Sequence, residues 1–483
     1  MGSMHVLAID VGTSSARAAV FDAAGRPLCD RRGQVQYEPR TTPDGGVELD
    51  ADLLLDAVAQ AIDGCLADAP AIDAVGISAF WHGLLALDAD MRPLIPVLTW
   101  ADTRAAGAAA ELRDALDEDA VRVRVGAALH ASYFPAKLRW LHAADPGAFA
   151  RARRIGGFPE YLLWRLTGEW RTSVSMASGT GLLAHATLAW DPELLGAAGI
   201  EPERLPPIED APAPGLLAPW ASRWPALARA RWFPAWGDGA CGNVGSGCAG
   251  PDRIALNVGT SAALRLVAPE RADTPKGLWR YRLDAGRSLV GGATSEGGNV
   301  VAWSRRELAL PGDDAALERA VAAVPPDGHG LVALPFLAGE RSPGWRDDAR
   351  GALTGVHLDT TAAEIARALM EAVAYRLALI HERLAPLAAP GHAVVASGGA
   401  LLRSATWTGI IADTLGVPLS ISPEEEASSR GAALLTLARR GVEPPPAADG
   451  PAVPPDPRRH EVYRRALERQ RRLYEIVVGP RPS

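Results

Sequence analysis

Leu7-Ala8-Ile9-Asp10-Val11-Gly12-Thr13-Ser14 and Ala255-Leu256-Asn257-Val258-Gly259-Thr260-Ser261 share the tetrapeptide Val-Gly-Thr-Ser, each time behind an apolar run that ends in a polar residue. An apolar run closing on glycine and hydroxyl residues reads as a buried strand feeding a tight turn. Such a turn exposes backbone N–H groups and Oγ atoms, a cradle for phosphate oxygens. The copies stand 247 positions apart in a chain of 483 residues. One cradle in each half predicts two similar domains facing each other across a nucleotide.

The length suits two domains of roughly 240 residues each. Apolar residues make up 48% and charged residues 22%, ordinary for a globular protein. A net charge of −8 argues against a nucleic-acid partner, since no broad basic face is implied. The four cysteines, Cys29, Cys65, Cys241 and Cys248, lack CxxC spacing and are too few for a disulfide framework, so a reducing cytoplasm is the expected setting. No apolar run reaches the ~20 residues of a membrane span, and no membrane partner is expected. Met1-Gly2-Ser3 ahead of Met4 reads as a cloning remnant.

The opening half is predicted as a β-meander: strands over 5–9 and 16–22 around the turn, and a third from Pro27. Asp50 is expected to cap a helix reaching Leu66, with Leu53, Leu54, Ala57, Val58, Ala61, Ile62 and Cys65 at helical spacing. A strand over 72–78 and helices near 104–117, 135–143 and 159–166 follow, then Pro-rich loops over 203–219. The second half opens with a strand over 253–257. It continues with a strand over 331–336, a long helix over 361–387, and a strand over 393–397 ending in Gly398-Gly399. Helices over 403–415 and 425–440 flank a strand over 417–421; a Pro-rich linker over 443–457 leads to a basic tail helix over 460–476.

In the first turn, Gly12 permits close backbone approach, Thr13 and Ser14 can donate to phosphate, Asp10 can hold Mg²⁺, and Arg17 can reach a terminal phosphate. Alone, this turn reads equally as an ordinary hairpin; the second copy favours phosphate. At the places matching Asp10 and Arg17, that second copy carries Asn257 and Leu264. The run Trp236-Gly237-Asp238-Gly239-Ala240-Cys241-Gly242-Asn243 puts one carboxylate in a glycine-rich stretch. A lone carboxylate can accept the proton of a hydroxyl attacking phosphorus; by itself it reads as a helix cap. Phe80-Trp81-His82-Gly83 and Thr99-Trp100-Ala101-Asp102-Thr103-Arg104 cluster aromatic, acidic and basic groups suited to a polyol. They also suit a core pair of tryptophans with a solvated Asp–Arg pair.

Together with Gly339–Gly355, ASGGALLRS and EEEASSRGAALL, these motifs resemble the FGGY carbohydrate kinases of the actin-like ATPase superfamily, over Met4 to Gly441. The resemblance implies an α/β fold of two ribonuclease-H-like domains with an interdomain cleft. A sugar-binding domain is expected over 4–248, a nucleotide-binding domain over 249–441, and a linker with tail helix over 442–483. His82-Gly83, WAD-x-R, SMASGTGLL and Asp238-Gly239 followed by Asn243 are most similar to the gluconokinase branch. The implied cofactors are ATP and Mg²⁺. Asp238 is the implied general base, with Asp10 and Asp238 near the metal. Thr13, Ser14, Arg17, Gly259 and Thr260 would meet phosphates, and Gly298, Gly399 and Arg403 the nucleotide. Trp81, His82, Trp100, Asp102, Lys137 and Asp238 are the implied substrate contacts.

The implied reaction is ATP-dependent phosphorylation of a sugar or sugar-acid hydroxyl, first of all gluconate to 6-phosphogluconate. Trp81 stands where Met or Gln is common, which leaves xylulose or another pentulose or polyol open as the substrate. A catalytically silent nucleotide or sugar sensor is the reading of another class; the intact acidic and phosphate positions argue against it. Gluconate is an anion, so Lys137 is expected to bind its carboxylate, with Arg104 as the other cation considered. A homodimer is the family expectation.

Overall fold

The computed structural model describes residues 4–479 except 29–31, 67–68, 270–272, 444, 446–447 and 449. Met1-Gly2-Ser3 and Cys29 therefore lie outside the described residues; Cys65, Cys241 and Cys248 are buried, and none of the three is in a disulfide among the described residues.

Strand β1 (Val6–Val11) is buried along its whole length, as its unbroken apolar run requires of a strand covered on both faces. Strand β2 (Ser15–Phe21) returns antiparallel to it, with Asp10 opposite Arg17. The third strand, β3 (Gly33–Gln36), pairs with β2. It starts at Gly33 rather than at Pro27, which makes only an isolated bridge to Phe21; proline has no N–H with which to continue a ladder. Helix α1 (Ala51–Leu66) begins where Asp50 Oδ1 accepts the N–H groups of Asp52 and Leu53, both at 2.9 Å. Strand β4 (Ala74–Ala79) lies parallel to β1, and β5 (Arg231–Trp232) and β6 (Trp236–Gly237) both pair with β4. Among the described residues this first sheet runs β5-β4-β1-β2-β3, with β6 extending beside β4.

Between those strands lie helices α2 (Phe134–Ala144) and α3 (Val174–Gly179). Helix α4 (Asp238–Gly245) follows β6 directly, so the glycine-rich run is a strand end and a helix start rather than an open loop.

The second half repeats the plan with β7 (Arg253–Val258), β8 (Ala262–Pro269), β9 (Trp279–Arg282) and β10 (Arg287–Thr294). Helices α5 (Gly298–Glu307) and α6 (Ala362–Leu384) precede β11 (Ala393–Ser397). Then come α7 (Gly399–Leu402), α8 (Ala405–Leu415), β12 (Leu419–Ile421), α9 (Ala427–Arg439), β13 (Ala452–Val453) and α10 (Pro457–Val477). The helix expected over 403–415 begins at Ala405, because Ser404 Oγ accepts the N–H of Trp407 and caps it, and the short α7 precedes it. The Pro-rich segment after α9 contributes β13, an edge strand on β12. The second sheet runs β9-β10-β8-β7-β11-β12-β13, among the described residues.

The two hairpins differ by one residue. Val11 pairs with Ala16, but Val258 pairs with Ala262, so the second turn is shorter. Asn257 therefore lies opposite Ala263, and it is Ala263, not Leu264, that occupies the place of Arg17.

Helix α9 packs on β1, β4 and α4 of the first half. Ala432, Ala433, Leu434, Leu435 and Leu437 join the first hydrophobic core, where each buried leucine contributes about 1.5–3 kcal/mol. The approach is to backbone contact. A Cβ on Gly431 would lie 1.8 Å from the Cys241 carbonyl oxygen, and one on Gly245 1.7 Å from that of Ala427. No helix among the described residues is long and apolar enough to cross a membrane. Alanine is the better helix former by about 1 kcal/mol, yet Gly431→Ala is expected to lower the melting temperature by several degrees. Calorimetry checks this; an unchanged or raised Tm would show that the two helices can part without cost.

Candidate active site

In each cradle the glycine N–H donates to the last hydroxyl residue of the turn: Gly12 to the Ser15 carbonyl and Gly259 to the Ser261 carbonyl, both at 2.9 Å. The Tyr37 hydroxyl donates to the Gly12 carbonyl at 2.6 Å, bracing the first turn from outside. Thr13 is half-buried and Ser14 exposed. Asp10 is buried at the end of β1 and accepts the Ser78 hydroxyl at 2.7 Å. Arg17 stands between two carboxylates, 3.6 Å from Asp10 and 3.3 Å from Glu426. Burial, with repulsion from Asp238 and Glu426, pushes the Asp10 carboxyl up to about 6 against the pull of Ser78 and Arg17.

Asp238 is the first residue of α4 and accepts its neighbour's N–H, that of Gly239, at 2.7 Å. Its position at a helix N-terminus follows from β6 running straight into α4. Burial raises its pKa, and the nearby Arg265 guanidinium lowers it. Asp238 and Arg265 line two cavities at once and so mark the passage between them.

One cavity, about 390 Å³, is lined by Arg17, Asn257, Ser397, Gly398, Gly399 and the segment 424–428. Asn257 Nδ2 donates to Ser397 Oγ at 3.1 Å, tying the second hairpin to β11. Gly398 has a φ of +99°, and a Cβ there would fall 2.5 Å from the Val258 carbonyl, so only glycine permits this close turn. Helix α5 docks on the second cradle: Gly298 N–H donates to the Gly259 carbonyl at 2.6 Å and Asn299 N–H to that of Thr260 at 3.1 Å. A neighbouring cavity of about 360 Å³ is walled by Gly298, Ala302, Leu317, Met370, Arg403 and Trp407. Its apolar walls and open glycine edge suit a flat base.

The other cavity, about 260 Å³, has Thr13, Trp81, His82, Trp100, Tyr133, Asp238, Ser261, Arg265, Trp279, Tyr281, Arg341 and Trp345 in its lining. Trp279 and Tyr281 alternate along β9, so they share a face and stack 4.3 Å apart. Trp81 lies 4.9 Å from the Tyr281 ring and donates its Nε1–H to the Ser175 carbonyl. His82 bonds the Gly179 carbonyl through Nδ1; burial drives its pKa down to about 3, so it is neutral with the proton on Nδ1. Nε2 is thus left as an acceptor for a hydroxyl. Arg341 lies over the Trp100 ring at 5.1 Å and donates to the Thr294 carbonyl at 2.9 Å. Glu296 faces it, its carboxyl pushed up to about 7 by burial.

Two expected substrate contacts are elsewhere. Lys137, on α2, is 1% exposed and donates to the carbonyls of His82, Leu98 and Thr99 at 2.6, 3.0 and 2.7 Å. Its three protons are spent on backbone, so the ammonium has none to offer a substrate carboxylate; it ties the turn at His82 to the segment Leu98-Thr99. Asp102 is buried against Arg104 and accepts the Val47 N–H at 3.2 Å. Arg104 is in turn held by Glu48 at 2.7 Å, so this acid–base group is a structural knot beside the cavity. Arg265, Arg341, Trp279 and Tyr281 were not singled out as contacts by motif. The Trp-x-Tyr alternation carried the signal for the aromatic pair, and Arg341 lies inside the Gly339–Gly355 stretch.

Comparison with known proteins agrees with this geometry. Residues 5–214 match the N-terminal domain of the FGGY family of carbohydrate kinases, and residues 254–439 its C-terminal domain. The chain belongs to the FGGY family. Within it, the chain is 28% identical to a gluconokinase of Bacillus licheniformis (90% of this chain, 88% of that one). It is 32% identical to a glycerol kinase of Allorhizobium ampelinum (91% of each). Solved structures of a gluconate kinase and of a ligand-bound xylulose kinase, both from Lactobacillus acidophilus, superpose with TM-scores of 0.90 and 0.91. Their identities are 26% and 27%, each over 99% of both chains. This FGGY chain thus has the whole two-domain frame of its relatives.

Removing the Lys137 ammonium would leave the His82 carbonyl unmet, at about 1–3 kcal/mol, while the Leu98 and Thr99 carbonyls keep the N–H groups of Leu84 and Asp102. Lys137→Met is therefore expected to lower Tm while leaving the preference between an acidic and a neutral acceptor unchanged. Thermal unfolding with KM for both acceptors checks this; a selective loss of the acid at normal Tm would restore a direct contact.

Proposed function

We propose that the chain phosphorylates a hydroxyl of a sugar acid with ATP, gluconate to 6-phosphogluconate being the first candidate. The observation that carries this is Asp238 at the passage between a cavity suited to a nucleotide and one suited to a polyol. The acceptor lies against Trp81, Trp279 and Tyr281, with a hydroxyl donating to His82 Nε2 and Trp100 closing the far wall. Asp238 takes the proton of the attacking hydroxyl; the pKa raised by burial suits it to that exchange. The ATP phosphates lie between the two cradles, met by Thr13, Ser14 and Arg17 on one side and by Gly259 and Thr260 on the other, with Gly298, Gly399 and Arg403 along the nucleoside. Arg17 and Arg265 face the charge that builds on the transferred group.

Asp10, with Asp238 and Glu426 repelling it, is a hard-oxygen donor set that a divalent cation would relieve, and so fits Mg²⁺. Bound there, Mg²⁺ would neutralise phosphate charge. The two walls of aromatic rings keep water, the competing acceptor, from the reacting hydroxyl.

The acid is favoured over a neutral polyol by Arg341. Its guanidinium enters the acceptor cavity, Nε has no protein partner, and Glu296 opposite is about half protonated near neutral pH. A carboxylate there would complete the charge. The xylulose and glycerol kinases among the relatives make those acceptors the direct competitors.

Asp238→Asn is expected to keep ATP binding and lower kcat at least ~10²-fold; near-normal turnover would remove Asp238 from the chemistry. A coupled ADP-release assay over gluconate, xylulose, ribulose, glycerol and erythritol ranks the acceptors. Gluconate is expected to lead. A neutral acceptor in first place would overturn the acid, and ATP binding without turnover on any of them would favour a sensor. As pH rises through about 7, Glu296 ionises beside Arg341. KM for gluconate is then expected to rise between pH 6 and 8 while KM for a neutral acceptor stays level, as initial rates at each pH would report.

A further inference from the structure

The stretch Gly339–Gly355 delivers Arg341 and Trp345 to the acceptor cavity. The Arg341 guanidinium is held there by one donation to the Thr294 carbonyl and by the Trp100 ring under it, and its Nε has no partner. Its position is set by its backbone, and that backbone is held by its neighbours.

The first hold is Glu340, 2% exposed and outside the cavity lining. One carboxylate oxygen accepts from Arg376 of α6 and from the Gly344 N–H at 3.1 Å. The other accepts the hydroxyl of Tyr474, in the last turn of α10, at 2.6 Å. The Arg376 guanidinium lies 5.0 Å over the Tyr474 ring and 5.2 Å over that of Phe336. No space is left between these groups: a Cβ on Gly344 would meet the Glu340 carboxylate at 2.1 Å and the Tyr474 hydroxyl at 2.3 Å.

The second hold is Arg346. It donates from Nη1 to the carbonyls of Val478 and Gly479, both at 3.0 Å, and its other edge is fixed by Asp348 at 2.8 Å. The Glu340 N–H donates to the Arg346 carbonyl at 2.8 Å, closing residues 340–346 into a loop whose two feet both rest on the end of α10. Trp345 is pinned through its Nε1–H to the Gly277 carbonyl at 2.9 Å.

We infer that the carboxy-terminal helix α10 positions Arg341 in the acceptor cavity, with Tyr474 acting through Glu340 and the helix end acting through Arg346. Tyr474 and Arg346 are positioning residues; neither is among the cavity's lining. Buried carboxylates hold geometry tightly because an unmet oxygen is costly, and small displacements of a contact group cost binding steeply. The inference rests on the reading of that cavity as the acceptor site.

The test is a two-by-two set: wild type, Tyr474→Phe, Arg341→Ala and the double variant, on whichever acceptor of the panel turns over fastest. Tyr474→Phe keeps the ring over Arg376 and removes only the hydroxyl. It is expected to raise KM for the acceptor about fivefold or more, with KM for ATP unchanged and kcat within about twofold. In the Arg341→Ala background the same change is expected to add nothing. An unchanged acceptor KM for Tyr474→Phe, or an equal fold-change in both backgrounds, would overturn the inference. If Tyr474→Phe melts within the assay range, truncation after Val477, which removes the carbonyls that hold Arg346, is read in the same cycle with the same outcomes. If the cavity is not the acceptor site, Arg341→Ala alone leaves KM for the acceptor unchanged, so the two failures are distinct.

Discussion

Two helices cross at backbone contact, and the site depends on that crossing. With glycine at positions 245 and 431, α4 and α9 approach until side-chain atoms would collide with carbonyl oxygens. Each helix begins at the cleft: α4 with Asp238, α9 immediately after Glu426. The crossing therefore fixes two carboxylates from distant parts of the sequence around Arg17 and Asp10. The distances at Arg17, 3.6 Å and 3.3 Å, span both halves of the chain. Bulkier residues at the crossing would move Asp238 and Glu426 together.

The electrostatics divide the site in two. On the side of Arg17, burial first, and then carboxylates that outnumber what Arg17 can balance, push Asp10 up. On the aromatic side the order reverses: Arg265 and Arg341 enter a cavity with Asp238 in its lining, and Glu296, its carboxyl pushed up to about 7 by burial, faces Arg341. Carboxylates dominate one side and guanidinium groups the other, with Asp238 belonging to both. Burial drives both effects, because charges in a low-dielectric setting are screened little.

Much of the frame was legible in the sequence. The repeated Val-Gly-Thr-Ser turns lie at the ends of matching hairpins, and Asp238, Trp81, His82 and Trp100, quoted from separate motifs, line one cavity. What escaped has physical reasons. Position-by-position matching could not see that the second turn is one residue shorter, so Leu264 was aligned where Ala263 stands and Arg265 went unnoticed. Lys137 and Asp102 looked like substrate ligands because charge beside an aromatic motif suggests a site; whether a charge is spent on carbonyls or on Arg104 is decided by three-dimensional packing. Arg341 was quoted within a motif, but its role depends on contacts with the far end of the chain.

The path of α9 has a further consequence for how the molecule can be divided. This helix comes from the second half of the sequence yet lines the first hydrophobic core beside β1 and β4. A fragment ending at residue 248 would present the apolar face that Ala432, Leu435 and Leu437 cover, and would aggregate rather than fold as a clean domain. Splitting the polypeptide into two co-expressed pieces would succeed only if residues 427–439 returned to the first piece in trans. Sequence order and structural unit do not coincide here, and the strand of chain that breaks the correspondence is the one that locks the halves into a single object.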